Sequence, residues 1–418
     1  MKLKNKLFKS GTALLVSLLL FISTGISQNV LGEGMWRGTL KLNDTTELPF
    51  NFSIRYTNNK PVMEIRNADE RIVVEDISIR KDSVFIKMPV FDSEFKCEIQ
   101  NYDHGYQDIH GEWINHGRKE KNKITFFARY NDNERFKMVP TKPLTLNERY
   151  KVTFEPGTED QYYSVGIFTS KSGIAKGTFT TETGDYRYLE GYSANGKFMV
   201  SCFDGAHAFL FTATKKGDSL VNGIFYSGIH GHERFVAVLD ETFELRNPDS
   251  LTFLKPGYTG IGFSFKNTEG KEVSLKDEKF KNKVVIVQLM GTWCPNCMDE
   301  TKFLAPFYNN YKPNGLEIVA LAFERTDDFA KAVSNVSRSK SRFGANYEFL
   351  ITMKTGNKQA AEALPMLNAV MAFPTTIFID KKGRVRKIYT GFSGPATGDA
   401  YSKYVEETTL FVEKLLGE

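Results

Sequence analysis

Cysteine is scarce. The 418 residues hold four, at Cys97, Cys202, Cys294 and Cys297, too few to staple a chain of this length, so a disulfide scaffold is excluded. The close pair Cys294-x-x-Cys297 has no second cysteine pair or spaced histidine pair to complete a zinc site, so no metal and no cofactor is expected. Long basic runs are absent as well. The formal charge is +5, but Lys2, Lys4, Lys6 and Lys9 sit in an N-terminal segment without acids, leaving 5 − 4 = +1 beyond it. A near-neutral chain gives no electrostatic basis for nucleic-acid binding.

What is present begins with an export signal, expected over residues 1–27. Its lysines precede an apolar stretch from Ala13 to Ile22, and Gly25-Ile26-Ser27 forms a small-residue cleavage site before Gln28. The stretch is short for a membrane span, so membrane attachment is expected only if the signal stays uncleaved. The absence of cysteine near the cleavage site excludes a lipoprotein anchor. The expected location is the periplasm, with an inner-membrane anchored form as the alternative.

The length suggests two or three domains after the signal. Residues 28–146 and 147–247 read as β-rich modules of sandwich or barrel type, and 248–418 as an α/β domain. Phe50, Phe52, Ile54 and Tyr56 alternate, as do Val84, Ile86, Met88 and Val90, while Asn195-Gly196 marks a hairpin. An internal duplication is expected. Phe91-Asp92 precedes Gly111-Glu112-Trp113 by the interval that separates Phe203-Asp204 from Gly223-Ile224-Phe225. Pro140 and Pro143 mark the joint between modules, and Asn247-Pro248-Asp249 the joint to the last domain. Cys97 is in phase with Phe95 and Ile99, and Cys202 with Phe198 and Val200. Both are expected as buried free thiols, although sequence alone leaves a bond between them open. Thr183-Gly184-Asp185, Asp204-Gly205-Ala206-His207, His116 and His230-Gly231-His232 read as turns and polar surface rather than a ligand site. The modules' aromatics read first as core and second as a face for partner proteins.

The chemistry-bearing stretch is Gly291-Thr292-Trp293-Cys294-Pro295-Asn296-Cys297-Met298-Asp299-Glu300. It follows the apolar run Val284–Met290, which reads as a buried strand, and opens a helix predicted over Pro295–Tyr311. A cysteine pair at such a turn suits thiol–disulfide exchange, because the helix N-terminus favours the first cysteine as thiolate. Pro295 suits the first helical position. Glu300, one turn beyond Cys297, is a candidate for tuning the thiols. A mixed sheet is expected, with further helices over Asp327–Arg342, Asn357–Leu367 and Tyr401–Leu416.

From about Ser250 to Glu418 the chain resembles the exported thioredoxin-like thiol–disulfide oxidoreductases of the TlpA/ResA-like family. The resemblance rests on Trp293-Cys294-Pro295-Asn296-Cys297 after a strand, and on Phe373-Pro374-Thr375-Thr376-Ile377-Phe378-Ile379-Asp380. It implies a thioredoxin fold, a redox-active Cys294–Cys297 disulfide, and a cis proline at Pro374 facing the cysteines. Glu300 matches an acid of that branch, and Glu324 matches a second one more loosely. The Pro-Asn pair between the cysteines, Gln288 before them and the bulky Phe373 depart from the usual pattern.

The resulting expectation is an exported thiol–disulfide oxidoreductase acting on partner-protein disulfides. Cys294 and Cys297 would be catalytic, and Trp293, Pro295, Phe373 and Pro374 would contact the substrate. A membrane or periplasmic thiol donor would supply electrons, and the β modules would recruit partners. The competing reading is an envelope binding protein whose C-x-x-C is structural. A thiol peroxidase fits less well, since its threonine stands three residues before the cysteine and Thr292 stands two before.

Overall fold

The computed structural model describes residues 30–144 and 146–418, so the predicted export signal lies outside the described residues. Strands β1 (Gly34–Lys41), β2 (Glu47–Thr57), β3 (Lys60–Asn67), β4 (Glu70–Val74), β5 (Ile77–Arg80), β6 (Ser83–Lys87), β7 (Ser93–Asn101), β8 (Gln107–Asn115) and β9 (Lys123–Tyr130) form one antiparallel sheet. Its order is β4-β3-β2-β1-β9-β8-β7-β6-β5. Strands β10 (Asn147–Phe154), β11 (Tyr162–Lys171), β12 (Ile174–Thr181), β13 (Gly184–Asp185), β14 (Leu189–Ala194), β15 (Lys197–Phe203), β16 (Ala208–Lys216), β17 (Ser219–Ser227) and β18 (His232–Leu239) form a second. Its order is β11-β10-β18-β17-β16-β15-β14-β12-β13, and a β11–β12 pairing closes it into a barrel.

The second sheet is therefore a closed barrel, and the first, with no pairing between its edge strands β4 and β5, is a near-barrel; the two run through their strands in the same sense. The repeated sequence pairs occupy equivalent places. Phe91-Asp92 lies between β6 and β7 and Phe203-Asp204 at the end of β15, while Trp113 and Phe225 sit on β8 and β17. The inner faces bury the alternating aromatics, including Phe50, Phe52 and Phe95 in the first module and Phe154, Phe179 and Phe211 in the second. Cys97 and Cys202 are buried and free, as their phase implied, and no bond joins them.

The C-terminal domain follows with β19 (Ser264–Asn267), β20 (Glu272–Ser274), β21 (Val284–Met290), α1 (Pro295–Tyr311), β22 (Leu316–Ala322), α2 (Phe329–Phe343), β23 (Glu348–Ile351), α3 (Gly356–Ala363), β24 (Thr375–Ile379), β25 (Val385–Thr390) and α4 (Asp399–Gly417). The sheet order is β20-β19-β23-β22-β21-β24-β25, parallel from β21 to β23 and antiparallel at both ends. Strand β21 is buried along its whole length, which explains its unbroken apolar run. The leading hairpin starts at Ser264, and α3 ends at Ala363 rather than at the Leu367 predicted from sequence.

The three bodies pack closely. Phe203 of the second module sits in the core of the first, its ring 4.6 Å from Phe50 and 5.1 Å from Trp113 between centroids. Asn67 fixes the backbone there: its amide donates to the Phe203 carbonyl at 2.9 Å and its oxygen accepts from the Phe203 N–H at 3.3 Å. Buried Arg187 pairs with Glu70 of the first module, Asp204 of its own, and Asp299 of α1.

Phe203→Ala should therefore cost about 3–5 kcal/mol, the usual penalty for removing a buried aromatic ring. Urea denaturation of the wild type and the variant checks this; a loss below about 1 kcal/mol would show that the ring does not support the packing of the two modules.

Candidate active site

The cysteine pair lies at the N-terminus of α1 because β21 ends at Met290 and Pro295 starts the helix without needing a hydrogen bond. Cys294 is the N-cap residue, and its Sγ accepts from the Cys297 N–H at 3.2 Å. Cys294 and Cys297 are joined as a disulfide. Cys294 is 7 % exposed and Cys297 fully buried, so the first sulfur is the one that solvent reaches.

The neighbours predicted from sequence converge here. The Phe373–Pro374 bond is cis, and the Phe373 carbonyl oxygen lies 3.4 Å from Cys294 Sγ. Trp293 is held by its indole N–H, which donates to the Phe323 carbonyl at 2.8 Å, and it meets the Phe373 ring edge-on. Pro295 and Phe373 line the same cleft as Cys294. Pro374 is buried behind it.

The two acids differ in their surroundings. Glu300 is fully buried and accepts from Gln288 at 2.8 Å, from the Thr376 hydroxyl at 2.5 Å and from the Tyr404 hydroxyl at 3.2 Å. Burial raises its pKa to about 7, against the three hydrogen bonds that favour the carboxylate. Gln288, a departure from the family pattern, is thus the amide that holds this carboxyl in place. Glu324 is buried too. It accepts from the Thr292 N–H at 2.8 Å and hydroxyl at 2.6 Å, tying the end of β22 to the residue two before Cys294. Burial pushes its carboxyl above the usual range. In sequence Glu324 matched the family's second acid only loosely, because nothing local marks the strand end beside it as enclosed.

Sequence reasoning missed the modules' part in the site. Asn296, between the cysteines, donates its side-chain amide to the Asp185 carbonyl at 3.2 Å. Gly184 makes room for it: φ is +146° and a Cβ would stand 2.0 Å from the Asn296 amide nitrogen. Asp185 accepts from the Gly394 N–H at 2.6 Å, so the β12–β14 turn holds both the C-x-x-C loop and the Gly391–Gly398 loop. Thr183-Gly184-Asp185 is thus a turn, as read from sequence, and it docks the module against the C-terminal domain. Asp204 caps its turn, accepting from the Ala206 and His207 N–H groups at 2.8 and 2.6 Å. Asp92 of the first module pairs with Lys331 of α2 at 3.1 Å. Among the described residues no group of three or more metal-ligating side chains converges.

All three bodies wall a cleft of about 360 Å³ in front of Cys294. Phe91, His116 and Arg118 come from the first module, His207 and Phe209 from the second, and Trp293, Arg325 and Phe373 from the third. The remaining thiols stand apart. Burial pushes the Cys97 thiol up to about 12 and Cys202 well above its usual range, which makes both poor nucleophiles.

Comparison with known proteins agrees with this geometry. The Redoxin family matches residues 256–403. The thiol-disulfide oxidoreductase ResA of Geobacillus thermodenitrificans is 32 % identical over 142 residues, covering 34 % of this chain and 72 % of the relative. ResA of Bacillus subtilis is 30 % identical over 138 residues, covering 33 % and 69 %. A solved thiol-disulfide oxidoreductase from Bacteroides fragilis aligns with 35 % of this chain and 99 % of its own at 16 % identity, with a TM-score of 0.28.

Glu300 gives stability a pH dependence of definite sign. Its folded pKa, about 7, exceeds the ordinary 4.5, so the folded chain keeps a proton that the unfolded chain releases. Stability should fall as pH rises from about 4.5 to about 7, and Glu300→Gln should flatten that fall. Urea midpoints of both proteins at pH 5 and pH 7.5 test this; an equal loss in the variant would remove Glu300 as its source.

Proposed function

The chain belongs, through its C-terminal domain, to the ResA-like thiol–disulfide oxidoreductases, and from that premise we propose an exported enzyme that reduces or exchanges disulfides of partner proteins. The observation that carries this is the position of Cys294. Its sulfur caps a helix N-terminus, accepts the Cys297 N–H, and is the one of the pair open to the cleft.

In the reduced enzyme the Cys294 thiolate attacks one sulfur of the partner disulfide. A mixed disulfide forms and the other partner sulfur leaves as thiolate, taking up a proton. Cys297, one helical turn on, then attacks Cys294 Sγ, releases the second partner thiol and closes the Cys294–Cys297 bond. Two electrons pass to the partner, and a membrane or periplasmic thiol donor returns them by the reverse exchange. The helix end and the Cys297 N–H favour the first thiolate, while buried Glu300, on the same helix, is suited to tune the pair. Trp293, Pro295 and Phe373 shape the wall that the partner meets. The recruiting role of the β modules is supported by the residues that both contribute to that wall. Export to the periplasm is supported by the basic and apolar pattern of residues 1–27.

Trapping tests the reading. Cys297→Ser should accumulate a mixed disulfide on Cys294, identified by mass spectrometry, and Cys294→Ser should abolish insulin reduction. Full activity in Cys294→Ser, or no thiol-linked adduct in Cys297→Ser, would contradict it.

A further inference from the structure

The cleft in front of Cys294 carries an imbalance of charge. Most of its ionic groups are matched within the wall. Lys331 pairs with Asp92, and His116 lies 2.9 Å from Glu94. His207 Nδ1 lies 3.4 Å from Asp204. Glu324 turns into the fold to hold Thr292. Two guanidiniums are left over. Arg118 follows β8 in the first module, and Arg325 follows β22 in the C-terminal domain. Arg325 Cζ lies over the Trp293 ring, 3.6 Å from its centroid. No carboxylate among the described residues lies within ion-pair distance of either.

The pair is also mutually unfavourable. Partial burial and the positive field of Arg118 hold the Arg325 guanidinium below its usual range, against the weaker opposing pull of the Glu324 carboxyl. Arg118 is likewise lowered by burial, and His230 is pushed down to about 4 by burial and by the charges of Arg118 and Lys121. Like charges brought from two domains to one wall, neither held in an ion pair among the described residues, are relieved by an anion from outside. The cleft also limits shape. Three bodies close around about 360 Å³ and leave Cys294 7 % exposed, which admits an extended segment and not a folded surface.

We propose that the cleft selects an extended, acidic peptide segment, with Arg118 and Arg325 receiving carboxylates that flank the substrate cysteine beside Cys294. The inference rests on the exchange reading above and adds the class of substrate. Guanidinium groups suit carboxylates because their planar donors match both oxygens. The step itself is unchanged: the substrate disulfide gains two electrons and two protons as Cys294 and Cys297 become a disulfide.

The test uses the reduced full chain and three symmetric peptide disulfides, built from Ac-Asp-Cys-Asp-NH2, Ac-Asn-Cys-Asn-NH2 and Ac-Lys-Cys-Lys-NH2. Single-turnover rates are read by acid quenching and chromatography. The acidic peptide should react about tenfold faster than the neutral one, a ratio that shrinks towards one in high salt. In R118E/R325E the preference should pass to the lysine peptide, an outcome that misfolding does not imitate. Equal rates for the acidic and neutral peptides, or a preference unmoved by the charge reversal, would overturn the inference while leaving the exchange reading intact. Failure to react with any of the three would overturn both.

Discussion

One buried guanidinium ties the molecule together. Arg187 meets Glu70, Asp204 and Asp299, one carboxylate from each of the three bodies. Burying an arginine without partners is costly, and removing one partner from a buried ion pair costs several kcal/mol because a charge is orphaned. None of the three bodies can therefore withdraw without stranding charge on the others. The contact falls on α1 two residues past Cys297, so the same constraint sets how the modules face the cysteine pair.

From that constraint the site follows in layers. The strand–helix turn of β21 and α1 presents Cys294 at a helix end, a local device available to any sequence with this pattern. The modules then change what can approach it. Asn296 is fixed by the β12–β14 turn, and loops after β8 and β15 supply cleft walls. The sulfur that does the chemistry is thus set by the C-terminal domain, while access to it is set jointly with residues of both upstream modules.

The C-terminal domain was readable because its signals are local. A continuous apolar strand, a proline at the first helical position and cysteines three apart each mark their own conformation. Strand alternation likewise exposed the β modules and the phase of Cys97 and Cys202. Choosing barrel over sandwich needed the β11–β12 pairing, which depends on which strands meet in space. Arg187, Arg118 and Arg325 were invisible for the same reason. Each sits in a turn or strand end rich in polar residues, where an arginine usually faces water, and only tertiary packing distinguishes a buried bridge from a solvated surface charge. Glu324 illustrates the point from the acidic side, since its bond to Thr292 spans 32 residues.

The central claim is that the helix end and the Cys297 N–H make Cys294 the ionised, reactive sulfur. Titrating thiolate absorbance near 240 nm in the reduced protein, with Cys294→Ser as reference, tests it most directly. The account predicts that Cys294 ionises below the ordinary thiol value of about 8.5. A titration at or above that value would contradict it.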